Sequence, residues 1–310
     1  MAVSLPWADK YRPSTIDGYV FQNEGQRKSV EEWVKTKNIP HLMFSGPAGT
    51  GKTTLAKLLI GLIGIDRYDI LEINASRQNK VDDVRIQVTG FIQTIPFGDF
   101  KVVLLDEADR MTASAQDSLK GIMEMYADTA RFVLTTNHPN KIIPPLHSRC
   151  QGFHINKLDT AEFTARAAEI LIAENIDFDI DTLDSFVKAT YPDLRKCINL
   201  VQMHSAGGKL TRPGSEEGSV SDYMLSAVDL IKSGNIRKAR TLICSQVRGE
   251  DVDDVIRWSY DNLDLWAETD EQKDEAIIII RKGLVNNTLC ADPEINLAAL
   301  LIELSQVKVK

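Results

Sequence analysis

The chain has 310 residues, 43% of them hydrophobic and 26% charged, which is too long for one simple core and suggests two or three globular domains. Its formal net charge of −8 argues at first against a nucleic-acid partner, but the charge is unevenly spread. Residues 1–153 carry 18 Lys+Arg against 17 Asp+Glu, while residues 154–219 carry 7 against 11 and residues 220–310 carry 11 against 16, so only the first segment has room for a basic face.

The opening MAVSLPWADKYRP lacks the apolar core of a secretory leader. The longest apolar run, AIIII at 276–280, is far short of the ~20 residues of a membrane span. The reading is a soluble, intracellular protein without a membrane partner. Cys150, Cys197, Cys244 and Cys290 lie 46 or 47 residues apart with no CxxC pair, which favours reduced thiols over a zinc site.

In chain order, HLMFSG (41–46) predicts a buried strand entering a turn, and KTTLAKLLIGLIG predicts a helix with Leu55, Leu58, Leu59 and Leu62 at helical spacing. YDILEINAS predicts a second strand and VDDVRIQVTGFIQTI a helix. FKVVLLDEAD is apolar enough to require cover on both faces, which means a parallel sheet between helices. ASAQDSLKGIMEMYA predicts a helix, and ARFVLTTN and CQGFHI two more strands. This alternation predicts an open α/β sheet of five parallel strands over residues 1–154, with ligands at the carboxyl ends of the strands.

After His154 the strands stop. Three helices follow, the first capped by Asp159 or Thr160 and the third with Pro192 in its first turn, making a small helical domain at 155–212. GGKLTRPGSEEGS (207–219) is the best linker, and residues 220–310 read as an all-α domain. EINLAALLIEL (294–304) is apolar on more than one helical face, which suits either an oligomeric collar or a buried helix of a monomeric domain.

GPAGTGKT (46–53) fits G-x-x-x-x-G-K-[ST] between a strand and a helix. Gly46, Pro47, Gly49, Thr50, Gly51, Lys52, Thr53 and Thr54 are therefore candidate nucleotide contacts. Backbone N–H groups and the helix N-terminus face phosphate oxygens, Lys52 reaches the β- and γ-phosphates, and Thr53 binds Mg²⁺. Asp106, at the end of VVLLDEAD, is the second candidate Mg²⁺ ligand, and Glu107 is the group placed to polarise an attacking water. Asn137 ends the next apolar strand, where it either orients that water or simply makes a turn before His138-Pro139.

The ordered set PWADKYRPSTIDGYVFQNE, GPAGTGKTT, LEINAS, LLDEADRMTASAQDSL, TTN, SRC and PDLRK resembles the AAA+ ATPases. Within them it is similar to the sliding-clamp loaders, both replication factor C small subunits and the ATPase subunit of T-even-type phage loaders. The resemblance covers residues 6–200 strongly and 220–310 more loosely. It implies an α/β P-loop AAA+ domain, a helical lid and an all-α collar; ATP and Mg²⁺ as cofactors; and DNA- and clamp-stimulated ATP hydrolysis. The implied partners are copies of the chain and a distinct loader subunit in a pentamer, a sliding clamp, and primer–template DNA. The implied location is the cytoplasm or nucleoid, the host cytoplasm for a phage protein and the nucleus for a eukaryotic one.

Residue by residue, the resemblance gives Arg149 of SRC the role of a finger reaching a neighbour's ATP in trans; the other reading is a structural arginine paired with a carboxylate. It makes Arg195 of PDLRK the lid's nucleotide sensor. Tyr11, Arg12 and Val20 become adenine contacts, and Asn74 the polar residue that restrains the catalytic glutamate. Arg77, Lys80, Arg85 and Lys120 match segments that follow the DNA backbone, although each taken alone reads equally as a surface charge. Phe91, Ile95 and Phe97 match a plug for the clamp, and part of that stretch also reads as core. Three alternatives stand beside the clamp loader: another AAA+ DNA motor such as a branch-migration helicase, a protein-remodelling AAA+, and a non-catalytic scaffold subunit.

Overall fold

The computed structural model describes residues 5–76, 81–212 and 223–307. Arg77 and Lys80 lie outside the described residues. The described chain forms two compact units, one of residues 1–166 with 192–195, the other of residues 167–191 with 196–310.

The first unit starts with α1 (Trp7–Lys10) and α2 (Glu24–Thr36), the latter capped by Asn23, whose side chain accepts from Gln26 N. The α/β core then runs β1 (Leu42–Ser45), α3 (Lys52–Ile63), β2 (Ile70–Asn74), α4 (Val81–Ile92), β3 (Lys101–Asp106), α5 (Ala113–Met125), β4 (Ala130–Thr136), α6 (Pro144–Arg149) and β5 (Gln151–His154). All neighbouring strands pair in parallel, in the order β2-β3-β4-β1-β5. The five strands stand where the apolar runs predict them.

Alternate strand residues face opposite layers. Val103, Leu105, Phe132 and Leu134 join Val84, Val88, Leu119 and Met123 from α4 and α5 in one buried cluster. Val102, Leu104 and Val133 are equally buried, and α3 packs on β1, β3 and β4 with Leu55 and Leu59 fully buried. A sheet covered on both faces explains why its strands are apolar throughout rather than alternating.

The second unit is helical. It takes the later part of α7 (Thr160–Ala173), α8 (Ile180–Thr190), α9 (Leu194–Met203) from Lys196 onward, α10 (Tyr223–Lys232), α11 (Ile236–Gln246), α12 (Val252–Asp261), α13 (Asp270–Leu289) and α14 (Pro293–Val307). Asp159 caps α7 by accepting from Glu162 N at 2.9 Å. Helix α9 begins at Leu194, so Pro192 stands before its first turn rather than in it; Tyr191, the residue before the proline, has φ −54° and ψ 134°, a backbone that X-Pro geometry favours, and ends α8. Helix α14 buries Leu297, Leu300, Leu301 and Leu304 and leaves Ile295 and Ile302 outward; α13, which packs on it, exposes Ile278, Val285 and Leu289. No helix among the described residues is long and apolar enough to cross a membrane.

Candidate nucleotide-hydrolysis site

The site lies at the carboxyl edge of the sheet. β1 ends at Ser45, and residues 46–51 turn the chain into α3. Gly46 has φ 149° and Gly49 has φ 73°, both in the region that side chains avoid. A Cβ on Gly46 would stand 2.1 Å from the Ile155 carbonyl oxygen, and one on Gly49 would strike the Asp193 carboxylate at 1.8 Å. The glycines are thus required by backbone conformation and by close approach together. Thr50 Oγ1 donates to Pro47 O at 2.9 Å and Lys52 Nζ to the same oxygen at 2.5 Å, so the loop is tied across itself.

Lys52 is largely buried, and burial lowers its pKa to about 8. Asp106, Asp109 and Asp193 oppose that shift, and Arg195 adds to it. The ammonium therefore sits among three carboxylates and a guanidinium.

Asp106 Oδ1 accepts from Thr53 Oγ1 at 2.5 Å and from Thr135 Oγ1 at 2.6 Å. The first hydroxyl comes from the opening turn of α3 and the second from β4, which lies between β1 and β3. A carboxylate and a hydroxyl held together are hard oxygen donors, a set that fits Mg²⁺. Glu107 follows at φ 56°, a left-handed conformation that costs a non-glycine residue energy and is concentrated at functional sites. Its N–H donates to Thr135 Oγ1 at 3.1 Å, so one threonine fixes both acidic residues. Asn137 N donates to Asp109 Oδ1 at 3.2 Å, which ties the tip of β4 to the same turn.

Thr135, Asp109 and Asp193 are site residues that sequence reasoning passed over, although each lies inside a quoted motif. Tyr19 is another. Its ring lies 3.0 Å from where a Cβ on Gly51 would stand, and its hydroxyl donates to Thr50 O at 3.3 Å. Burial pushes that phenol upward from its usual range. Its neighbour Val20 is buried, Tyr11 is half-buried with its carbonyl accepting from Arg166, and Arg12 is exposed and paired with Asp9 at 2.8 Å.

The other candidates lie beside this cluster or away from it. Asn74 is level with Asp106 across β2 and β3, and its Oδ1 accepts from Ser76 N and Ser76 Oγ. Arg85 is exposed on α4 and Lys120 half-buried on α5. Of the apolar trio, Phe91 packs against the core cluster, whereas Ile95 and Phe97 are 89% and 78% exposed.

Arg149 belongs to the opposite edge of the sheet. It ends α6 just before β5, and β5 runs parallel to β1 with Gln151 level with Leu42 and His154 level with Ser45. The length of these four-residue strands, about 13 Å, lies between the start of β5 and the chain's own phosphate loop. The guanidinium donates to Pro145 O at 2.9 Å and pairs with Glu124. It borders an open groove of about 720 Å³ with His41 and Arg131. Burial pushes the adjacent Cys150 thiol up to about 12, so it is an inert packing group.

Residues 42–157 match the family model for the ATPase family associated with various cellular activities. The replication factor C small subunit of Aeropyrum pernix is 41% identical over 252 residues, covering 80% of this chain and 74% of that protein. That of Sulfurisphaera tokodaii is 44% identical over 209 residues, covering 66% of this chain and 64% of that protein, and that of Staphylothermus marinus is 43% identical over 214, covering 67% and 64%. The latter two matches span just under two thirds of those relatives' own length. Among solved structures, the Thermotoga maritima RuvB Holliday-junction branch-migration motor superposes with a TM-score of 0.54 at 17% identity, over 75% of this chain and 79% of that one. A single-substitution variant of the same motor gives 0.56 at the same identity and the same coverage. At that identity the likeness is one of fold alone.

Proposed function

This chain belongs to the replication factor C small-subunit family, and from that premise we propose that it is the ATP-hydrolysing subunit of a sliding-clamp loader. ATP binding holds the assembled loader on an open clamp, and primer–template DNA triggers hydrolysis and release of the clamp onto DNA. ATP then acts as a ligand with different affinity for two assemblies and shifts the population between them.

The observation that carries this reading is the separation of Arg149 from its own phosphate loop by the length of the sheet. Lys52, Thr53, Asp106 and Glu107 form a hydrolytic half-site at the carboxyl edge, and the guanidinium that would complete it is held at the other edge. A neighbouring copy supplies Arg149 in trans, so hydrolysis depends on assembly. Such an arginine is worth roughly 10³–10⁵ in rate.

Within the half-site, Lys52 binds the β- and γ-phosphates, and Thr53 and Asp106 are the Mg²⁺ ligands. When bound, Mg²⁺ neutralises charge on the phosphate oxygens. Glu107 accepts a proton from the attacking water, and Asn137 orients that water. Arg195, close enough to bias the Lys52 ammonium, reports the γ-phosphate to the lid. Tyr11, Arg12 and Val20 border the adenine, and Asn74 restrains Glu107 until DNA arrives.

Arg85 and Lys120 follow the DNA phosphates, contacts that carry affinity without sequence information. Ile95 and Phe97 enter an apolar pocket of the clamp. The outward apolar residues of α13 and α14 meet the same domain of neighbouring subunits, in a pentamer that includes a distinct subunit. The loader works wherever the replicating DNA lies.

The test is to measure ATP turnover by the chain alone, then with its partner subunit, then with clamp and primed DNA. Stepwise stimulation is expected. Full turnover by a strictly monomeric preparation, indifferent to clamp and DNA, would overturn the proposal.

A further inference from the structure

We propose that Asp69 and Lys101 are positioning residues that hold the loop 93–98 in the shape that docks on the clamp, and that Tyr68 completes its apolar face. The proposal rests on the reading of Ile95 and Phe97 as clamp contacts.

Ile95, Phe97 and Tyr68 are 89%, 78% and 61% exposed, and the rings of Tyr68 and Phe97 lie 5.8 Å apart. Exposed apolar groups of this kind mark an interface. Two buried charges hold the loop in place. Asp69 is 0% exposed, and its Oδ2 accepts from Phe97 N at 2.8 Å and from Gly98 N at 2.9 Å. Lys101 is 2% exposed, and its Nζ donates to Phe91 O at 2.8 Å and to Thr94 Oγ1. The same ammonium stands 4.5 Å from the Phe91 ring centroid.

Burying a carboxylate or an ammonium is costly unless hydrogen bonds replace its water. Asp69 Oδ2 and Lys101 Nζ direct theirs to residues 91–98, the end of α4 and the loop after it, while Asp69 Oδ1 is buried without a hydrogen-bond partner. They are neighbours: Ile70 is level with Val102, which sets Asp69 beside Lys101 at the amino ends of β2 and β3. One grips residues 91 and 94, the other residues 97 and 98, and the side chains of Ile95 and Phe97 are left outside. A segment this short, anchored at both ends, presents its apolar side chains without losing their placement to chain entropy on binding. The patch lies at the far end of β2 and β3 from Asn74 and Asp106, so a clamp seated there leaves the nucleotide site open.

The test uses the assembled loader with its own clamp and primed DNA. The readouts are the clamp concentration giving half-maximal stimulation of ATP turnover, and amide hydrogen exchange at Phe97 and Gly98. In Asp69→Ala, exchange at both amides should quicken and the half-saturating clamp concentration should rise about 10-fold, with clamp-saturated turnover unchanged. In a Phe97→Ala background the same substitution should add less than about twofold, because it acts through Phe97. Asp69→Asn keeps the shape and one acceptor oxygen, and should shift both readouts the same way by less; it carries the comparison if the alanine variant fails to fold. Lys101→Gln should follow the Asp69→Ala pattern.

Unchanged exchange at Phe97 and Gly98, full additivity with Phe97→Ala, or a fall in saturated turnover at constant half-saturation would each overturn the positioning role. Quickened exchange with no change of half-saturation in either Asp69→Ala or Phe97→Ala would leave the loop held as described but overturn the clamp as its occupant.

Discussion

Thr53 donates its hydroxyl to Asp106 across 2.5 Å, although β4 stands between the strands that lead to them. The first turn of α3 therefore leans over β4 and joins the two halves of the candidate site. Thr135 completes the arrangement, donating to Asp106 and accepting from Glu107 N.

Replacing Thr135 with valine keeps the volume and removes both bonds. One lost hydrogen bond with a charged partner costs about 1.5–3 kcal/mol. ATP turnover should fall roughly 10- to 100-fold, with ATP affinity changed less than about threefold. Steady-state kinetics beside equilibrium nucleotide binding checks the split, and an equal loss of binding would mean that Thr135 supports the loop rather than the two acids.

The lowered pKa of Lys52, about 8, predicts a pH dependence of nucleotide binding. The bound triphosphate requires the ammonium form, so affinity should weaken as pH rises through about 8, approaching tenfold per unit above it. Binding at pH 8 should take up about half a proton, measurable by calorimetry in buffers of different ionisation enthalpy. Lys52→Arg, which stays charged, should flatten this part of the profile. The sign for stability is opposite: between about 8 and the ordinary lysine value the unfolded chain holds more protons, so the nucleotide-free protein gains stability with rising pH in that window.

Arg149→Ala should bind ATP within about twofold of the parent and lose about 10³-fold or more of DNA-stimulated turnover. Glu124→Gln releases the guanidinium from its intrachain carboxylate and should leave stimulated turnover intact or raised. Mixed assemblies separate cis from trans: Arg149→Ala subunits should regain hydrolysis when a neighbour carries the arginine. Turnover by Arg149→Ala at the parent's rate would remove the trans role.

Arg85→Ala and Lys120→Ala should each weaken DNA binding without changing sequence preference. Each should also lower the slope of log affinity against log salt by roughly one unit. Titration of a primed duplex at several salt concentrations reads this directly, and an unchanged slope would return that residue to the ordinary surface.

The sequence by itself determined the layering of the first unit and named the residues that gather at its candidate site. Strand runs apolar on both faces, helical periodicity and the glycine pattern at 46–51 act over a few residues, and local backbone geometry is legible at that range. Lys52, Thr53, Asp106 and Glu107 could be named for the same reason: each closes or follows an element whose end is marked.

Only the tertiary structure decided which distant groups meet. Thr135 bridging two acids, Asp193 against Gly49 and Tyr19 against Gly51 depend on strand order and on a returning chain segment, which no spacing encodes. In the same way Phe91 belongs to the core while Ile95 and Phe97 face outward, because Asp69 and Lys101 fix the loop between them. The sheet's parallel register puts Arg149 a strand's length from its own phosphate loop, and that distance is what supports the role in a neighbour's site proposed for it.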